Sequence, residues 1–402
     1  MTSSSFRTRE KAAIGLVVIW SSLAAYQIAA AGIRHDYLAY VQQWSYTLAG
    51  GNPWNTSDIP FNAYGPLHAF LAYFAFPSLL IPKFLFGLAI ILLNLLFVFR
   101  LMGKHSDFKT RDWVLYALIV PLNFLVFGAV FLFGNNDALV AAFLGFAVLA
   151  RLRGHFATAG VLIGLAVLLK FYPLLLLPAL ALDGKRLEWR MIVGAGVTIA
   201  VGFAITVLRW GSSFLSAVTG GATRESSILS ILNFLQDMGL SDSLYQFLIN
   251  WNTVAVVATV VALFVFFWHF EVDWITAAAL TMLAVSGVYK VGHQQFLLAW
   301  LVLVAGLLVS GYPQRRFIVY VSMPLVLGIS LYQFLFVRQW IAGTFWDQEG
   351  YLLRVSASLP FFLLVVLTIG VSLIYLVQQT RVQSETAGSN GFRRTPAPES
   401  TT

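Results

Sequence analysis

The sequence lacks cysteine, and only 10% of its 402 residues are Asp, Glu, Lys or Arg. The absence of cysteine excludes disulfides and thiolate metal sites, and it leaves the redox compartment undetermined. A soluble domain needs roughly a quarter of its residues charged to cover its surface. Most of the exterior of this protein must therefore face something other than water, so a soluble globular domain is excluded.

Long apolar runs take the place of the charged surface. Hydrophobic residues make up 59% of the chain, and the mean hydropathy is +0.80. Runs such as 84–99, 113–133 and 361–377 carry almost no charge over lengths near the ~20 residues that span a bilayer. The run over 12–33 follows three basic residues, but it is too long for a typical signal-peptide core. We interpret it as an uncleaved first helix.

Apolar runs and basic clusters together predict an all-α, multi-pass membrane protein with about twelve transmembrane helices in one domain, residues 1–378. The predicted spans are 13–33, 83–101, 113–133, 137–150, 156–170, 172–182, 191–208, 250–268, 274–289, 294–310, 316–337 and 357–378. With both termini in the cytosol, most of the 25 Lys and Arg residues fall on the cytosolic side. The formal charge of +8 does not indicate nucleic acid, because the basic residues alternate with apolar runs and form no patch.

Four segments do not read as simple spanning helices. Residues 34–82 form a predicted first outer loop with interfacial helices over 37–49 and 66–80, and residues 210–249 form a second. The segment 156–182 is too long for one span and short for two, and irregular helices at membrane depth are tolerated where they line a cavity. We therefore expect a cavity on its outer side. Residues 379–402 are polar and predict a disordered cytosolic tail.

A few polar residues at the predicted outer face are candidates for chemistry. Asp36 follows the first span, where a carboxylate can act as a general base or can simply be solvated beside Arg34. Asn135, Asn136 and Asp137 form a turn that caps a helix and can also present donors to a ligand.

Lys170 and the polar turn that contains Lys290 can each be interpreted in two ways. Lys170 lies in an apolar run, where it either snorkels or supplies a point charge to a phosphate. Lys290, His293 and Gln294 lie in a polar turn that suits an anionic headgroup or a sugar, or is a plain hairpin. No metal-binding or nucleotide-binding motif is present, so neither a metal nor a cofactor is expected.

Several of these residues fall in motifs that resemble a known family. The motifs are Asp36-Tyr37, Gly50-Gly51-Asn52-Pro53, Tyr64-Gly65-Pro66-Leu67, Gly134-Asn135-Asn136-Asp137 and Leu169-Lys170-Phe171-Tyr172-Pro173. Over residues 30–185 they resemble polyprenyl-phosphate-sugar-dependent glycosyltransferases of the GT-C fold, in particular the GT87 branch. That branch often has Gln where Asn135 stands.

The resemblance implies a GT-C-like bundle and an inverting transfer on the extracytoplasmic face of the plasma membrane, in the cell envelope. A hexose, with mannose the first expectation, would move from a polyprenyl-phosphate donor to a hydroxyl of a lipid-linked or glycan acceptor. Asp36 is similar to the proposed general base of such enzymes. We assign the leaving phosphate to Lys170, Lys290 and His293. Substrate contacts are assigned to His35, Tyr64, Asn135, Asn136, Asp137 and Gln294.

Two other classes of protein remain open at this point. A secondary transporter or lipid flippase would have repeated halves with discontinuous helices in matching positions, and the sequence contains no internal repeat. A non-catalytic subunit of an envelope complex would need neither an acid nor a base.

Overall fold

Helices account for almost all of the regular structure in the computed structural model, which describes residues 3–34, 36–55, 59–103, 109–223, 225–312, 315–344 and 347–391. Two two-residue strand pairs are the exceptions within these ranges.

The N-terminal part of the chain forms two long helices separated by a loop of short ones. Its helices are α1 (Ser3–Ala31), α2 (Asp36–Leu48), α3 (Pro66–Phe70), α4 (Ala72–Ala75), α5 (Ile81–Gly103), α6 (Thr110–Ile119) and α7 (Phe124–Val126), which continues into a π-helix (Phe127–Leu132). Gly32, with a φ of +61°, follows the last residue of α1. At the start of α7 the Asn123 side chain accepts a hydrogen bond from the Leu125 amide at 2.9 Å and caps the helix.

The middle of the chain is the most irregular. It contains α8 (Asp137–Leu152), α9 (Phe156–Leu169), a 3-10 helix (Tyr172–Leu176), α10 (Leu177–Ala181), the hairpin β1 (Leu182–Asp183) and β2 (Arg186–Leu187), α11 (Trp189–Trp210), a 3-10 helix (Gly211–Phe214), α12 (Leu215–Thr223), β3 (Ser227–Ile228) and α13 (Ile231–Asp237). Glycines bring α9 and α11 together, because a Cβ on Gly160 would overlap the Met191 carbonyl. Small residues at such a crossing allow the close approach that packs helices in a bilayer.

The C-terminal part consists of long helices and one polar turn. Its elements are α14 (Asp242–His269), α15 (Trp274–Val288), β4 (Val291–Gly292), a 3-10 helix (Gln294–Phe296), α16 (Leu297–Ser310), α17 (Arg315–Ala342) and α18 (Gln348–Gly391). Strand β4 pairs in parallel with β3, and this pairing connects the predicted outer loop 210–249 to the turn after α15. Helix α18 extends to Gly391, into the segment expected as a tail, and residues 392–402 lie outside the described residues.

The core is built around helices that are buried on nearly every side. Helix α16 is buried from Leu297 to Val309, and α15 from Trp274 to Gly287. Both are short for a bilayer span. The polar turn at 289–296 therefore connects two helices of the core.

The outer surface is that of a membrane protein. Within the described ranges, six helical stretches are long and apolar enough to cross a membrane: Ile81–Met102, Thr110–Leu132, Trp189–Thr219, Asp242–His269, Arg315–Ala342 and Gly350–Val382. Exposed apolar residues form rows along them, such as Val254, Val257, Val261 and Val265 on α14. Rows of this kind mark a surface that contacts lipid rather than water. The protein is an all-α, multi-pass membrane protein.

The predicted spans outside these six coincide with other helices. They correspond to α1, α8, α9, the 3-10 helix with α10, α15, and the 3-10 helix with α16.

Candidate functional site

Asp36 is the first residue of α2 and lies just after the turn that ends α1. Tyr37, Tyr40 and Trp44 on the inner face of this helix are fully buried, so α2 is fixed against the core. Asp36 itself is exposed and lines a cavity. The carboxylate is thus carried by a rigid helix but remains accessible.

A buried lysine joins the two loops that carry most of the candidate residues. Lys83 is fully buried, and its ammonium donates to the carbonyls of Gly32 at 2.9 Å and Leu132 at 2.8 Å. Gly32 precedes Asp36, and Leu132 ends the π-helix before the turn at 134–137. The backbone N–H of Lys83 also donates to the Tyr37 hydroxyl at 3.1 Å. Lys83 therefore fixes the position of one loop relative to the other.

The strongest charge interaction at the site joins Asp137 to Lys170. Asp137 begins α8, and its Oδ2 lies 2.6 Å from the Lys170 ammonium, while both side chains are almost completely buried. The Tyr172 hydroxyl approaches the other carboxylate oxygen at 3.5 Å. Lys170 adopts an extended backbone conformation after the last turn of α9, and Pro173 prevents the helix from continuing in register. The interrupted helix therefore presents the lysine to α8.

Aromatic rings surround the same ammonium. Lys170 Nζ lies 5.1 Å from the ring centre of Tyr64 and 5.0 Å from that of Phe296, both within cation–π range. Tyr64 reaches this position because the amide of Gly65 donates to the Leu169 carbonyl at 2.9 Å. A Cβ on Gly65 would lie 2.5 Å from the Leu168 carbonyl, so only glycine permits this approach.

Two consecutive hydrogen bonds between side chains connect Asn135 to Asp36 through Gln295. Asn135 Nδ2 donates to Gln295 Oε1 at 3.2 Å, and Gln295 Nε2 donates to Asp36 Oδ2 at 3.4 Å. Asn135 and Gln295 are buried. These two hydrogen bonds connect the start of α8, the turn before α16 and the start of α2.

A second polar network lies behind Tyr64. His68 is fully buried, with Nε2 3.0 Å from Gln43 Oε1 and Nδ1 3.2 Å from Asn136 Nδ2. Because Nδ1 accepts from an amide N–H and Nε2 donates to an amide oxygen, the ring is neutral and has one tautomer. Burial, with the nearby charge of Lys170, lowers the pKa of His68 to about 3. The Tyr40 hydroxyl completes the network by donating to Asn136 Oδ1 at 3.2 Å.

Some of these groups line a cavity of about 510 Å³ whose lining combines polar and apolar side chains, which we call its polar end and its apolar end. Asp36, Tyr64, Lys170, Tyr172, His293 and Gln295 line the polar end. The apolar end is lined mainly by Leu175, Ala217, Val218, Val256, Val257 and Val285, with Thr253 and Ser286 beside them on α14 and α15. Val257 also belongs to the exposed row of α14, so the apolar end reaches the outer surface of the bundle beside α12 and α14.

Some candidate residues of the sequence analysis lie elsewhere. Lys290 is fully buried and does not line the cavity; its ammonium lies 3.4 Å from the Ile249 carbonyl, and its amide donates to Asn252 Oδ1 at 2.9 Å. Gln294 is buried and also absent from the lining. Asn135, Asn136 and Asp137 do not line the cavity but bond to residues that do or that pack against them. His35 lies outside the described residues.

Several residues of the site escaped the sequence analysis. Gln295, Tyr172 and Phe296 stand within or beside the motifs that it singled out, so their positions in those motifs were the available signal. Lys83 and His68 had no such signal in the sequence, because each is a single polar residue in an apolar context. Within the described ranges, no group of three or more His, Asp or Glu side chains is arranged to hold a metal ion.

Comparison with known proteins adds one match. The model of glycosyltransferase family 87 matches residues 62–311, more than half of the chain. The matched range contains Tyr64, Lys170 and His293, and it begins after Asp36. A comparison with curated proteins gives no match.

Proposed function

The chain is a member of glycosyltransferase family 87, and on that premise we propose that it is an inverting hexosyltransferase that uses a polyprenyl-phosphate-linked sugar. The hexose, with mannose the first expectation, passes to a hydroxyl of a lipid-linked or glycan acceptor. The reaction takes place on the extracytoplasmic face of the plasma membrane, in a GT-C-like bundle of about twelve spans with both termini in the cytosol. Family membership favours this function over transport, lipid flipping or a non-catalytic role.

The observation that carries the proposal is the composition of the cavity. One end contains an accessible carboxylate and a lysine, which suit an acceptor hydroxyl and a phosphate. The other end is apolar and reaches the surface that contacts lipid. A donor made of a sugar, a phosphate and a long isoprenoid fits this cavity, with the sugar and phosphate at the polar end and the isoprenoid at the apolar end. A nucleotide sugar has no apolar part that would occupy the apolar end.

The proposed chemistry uses the carboxylate and the lysine of the polar end. Asp36 removes the proton of the acceptor hydroxyl while its oxygen attacks the anomeric carbon. The bond from that carbon to the phosphate oxygen breaks on the opposite side, its electron pair stays on the phosphate, and the configuration inverts. Polyprenyl phosphate leaves with an added negative charge.

Cations near the leaving group lower the barrier because its charge grows as the bond breaks. Lys170 has three N–H donors and uses one on Asp137, so it retains donors for phosphate oxygens. His293 lines the same cavity and is the second candidate. We assign Tyr64 to the sugar, with which aromatic faces pack well. Lys290 does not line the cavity, and we assign it an indirect role, because its ammonium connects the turn to α14 through the Ile249 carbonyl.

The test is transfer by the purified protein in liposomes. Polyprenyl-phosphate-mannose and polyprenyl-phosphate-glucose are offered with lipid-linked and soluble glycan acceptors, and the release of polyprenyl phosphate is measured. Asp36→Asn should lower kcat by about 100-fold or more and leave donor binding intact. Asp242→Asn is the matched control, because Asp242 is exposed and also begins a helix but does not line the cavity.

Release without transfer to any acceptor, or full activity of Asp36→Asn, would contradict the mechanism. The side of the membrane has its own test, for which the absence of cysteine is convenient. Ser241→Cys should react with an impermeant maleimide on intact cells. Lys185→Cys should react only after permeabilisation; both positions are exposed. The reverse pattern would contradict the proposed orientation.

A further inference from the structure

Gln295 bridges two parts of the site that are far apart in sequence. It lies in the 3-10 helix before α16, lines the cavity, and donates to Asp36 Oδ2 from its Nε2. Its Oε1 accepts from Asn135 at the start of α8. One side chain therefore contacts both the start of α2, at Asp36, and the turn before α8, at Asn135.

The hydrogen bond from Asn135 decides which end of the Gln295 amide faces Asp36. An amide has one end that accepts and one that donates, and the two ends look alike in shape. Because Oε1 is occupied by Asn135 Nδ2, the donor end must face the carboxylate. The position of Asn135 is fixed in turn, since its backbone N–H donates to the Ala129 carbonyl of the π-helix at 2.8 Å.

The bond to Gln295 restrains the direction of the Asp36 carboxylate. Asp36 is exposed, and in the part of the chain that the structure describes, Gln295 is its side chain's hydrogen-bond partner. An ionised carboxylate has acceptor sites on both oxygens. With Oδ2 engaged, Oδ1 is left to receive a proton.

We propose that Gln295, oriented by Asn135, is the positioning residue for the Asp36 base. This inference rests on the proposed function. A neutral donor suits the role, because it fixes the direction of the carboxylate without adding a cation that would stabilise the ionised form and weaken it as a base. Misplacement of a reacting group by about 1 Å can cost on the order of 100-fold in rate.

The experiment is a double-mutant cycle on kcat and on donor affinity. Gln295→Met keeps the length of the side chain and removes both hydrogen bonds, so kcat should fall by about 10- to 100-fold. The KM and Kd for polyprenyl-phosphate-mannose should not change, because Gln295 is not assigned to the donor. Asn135→Ala should also lower kcat. The double variant should be no slower than Gln295→Met, since both changes break one chain of contacts.

Two further variants keep the test decisive. Gln295→Glu preserves size and the acceptor for Asn135 but replaces the donor with an acceptor, so its kcat should fall at least as far as that of Gln295→Met. Gln333→Met replaces another buried glutamine, on α17, which does not line the cavity, and should leave kcat unchanged.

The outcomes separate the two proposals. If Asp36→Asn retains transfer, the general base is wrong and the positioning role falls with it. If Asp36→Asn is inactive but Gln295→Met or Gln295→Glu turns over at the normal rate, only the positioning role is overturned. A double variant whose loss is the product of the two single losses would also overturn it, because the residues would then act independently.

Discussion

The Lys170 ammonium lies 2.6 Å from the Asp137 carboxylate, and both groups are buried beside a cavity rather than exposed at the surface. Removal of one partner from such a pair leaves a buried charge without compensation, which costs about 3–5 kcal/mol. The pair therefore has a structural role in addition to the phosphate-binding role that we propose for the lysine. The two roles can be separated by experiment.

Lys170→Met should lower the thermal denaturation midpoint strongly, and Asp137→Asn combined with Lys170→Met should recover most of it. The reason is that the double variant buries no charge. Transfer activity should fall strongly in both, since neither has the Lys170 ammonium that we assign to the phosphate. The surface pair of Lys185 and Glu271 is the control: both side chains are 59% exposed, so Lys185→Met should change the midpoint little.

The measurements are the midpoint in detergent and the rate of polyprenyl phosphate release. A stable double variant with normal activity would remove Lys170 from the proposed mechanism. A double variant as unstable as Lys170→Met would instead contradict the account of the ion pair.

His68 should make the protein sensitive to acid. The unfolded chain takes up a proton at this residue below about pH 6.5, whereas the folded protein keeps it neutral down to about pH 3. Its stabilising contribution is therefore complete above pH 6.5 and is lost as the pH falls towards 3, at about 1.4 kcal/mol per pH unit.

Between pH 7 and pH 5 the wild-type protein should lose about 2 kcal/mol more stability than His68→Gln. Thermal midpoints at the two pH values provide the check. His269→Gln is the control, because that side chain is exposed, and it should retain the wild-type dependence. Equal acid sensitivity in His68→Gln and the wild type would contradict the neutral, buried state of His68.

Gly134→Ala should destabilise the site more than the same change at Gly154. Both glycines have positive φ, +68° and +81°, which costs an L-residue about 1–2 kcal/mol. At Gly134 a Cβ would also lie 2.9 Å from Lys83 Cγ and 3.0 Å from Tyr37 Cδ2, whereas nothing lies within 4 Å at Gly154. The difference between the two midpoints measures the packing against Lys83, and equal midpoints would show that Lys83 can move aside.

Val257→Trp should raise the KM for the polyprenyl-phosphate donor by roughly tenfold, with kcat at saturation retained. A bulky side chain at this position fills the apolar end of the cavity, and loss of about 1.4 kcal/mol of apolar contact corresponds to a tenfold change in affinity. Val261→Trp is the matched control, because it lies one turn further along the same exposed row of α14 and does not line the cavity. Equal KM values for the two variants would exclude this entry for the lipid.

Sequence reasoning located the helices well, because apolar run length is a local property. The predicted span 274–289 became α15, Trp274–Val288, and 156–170 became α9, Phe156–Leu169. It could not tell which helices face lipid, because α16 and the segment 357–378 of α18 are both apolar, while only α16 is buried along its whole length. That difference depends on tertiary packing.

The site was harder to predict than the helices. Asp36 and Lys170 were singled out because ionisable groups are rare near apolar spans, and both line the cavity. Lys290 was chosen by the same reasoning, but it does not line the cavity, and its ammonium lies against the Ile249 carbonyl of α14. The contact between Asp36 and Gln295 joins residues 259 positions apart, and no periodicity or local composition reveals such a pairing.

The valine-lined opening beside α12 and α14 determines whether the rate depends on the concentration of donor in the membrane or in the total volume. If the proposed lipid-linked donor enters there, it need never leave the bilayer, and the protein encounters it by lateral diffusion within the membrane. Its rate should then follow the mole fraction of donor among the surrounding lipids. Dilution with inert phospholipid should slow turnover, and adding water to the same vesicles should not.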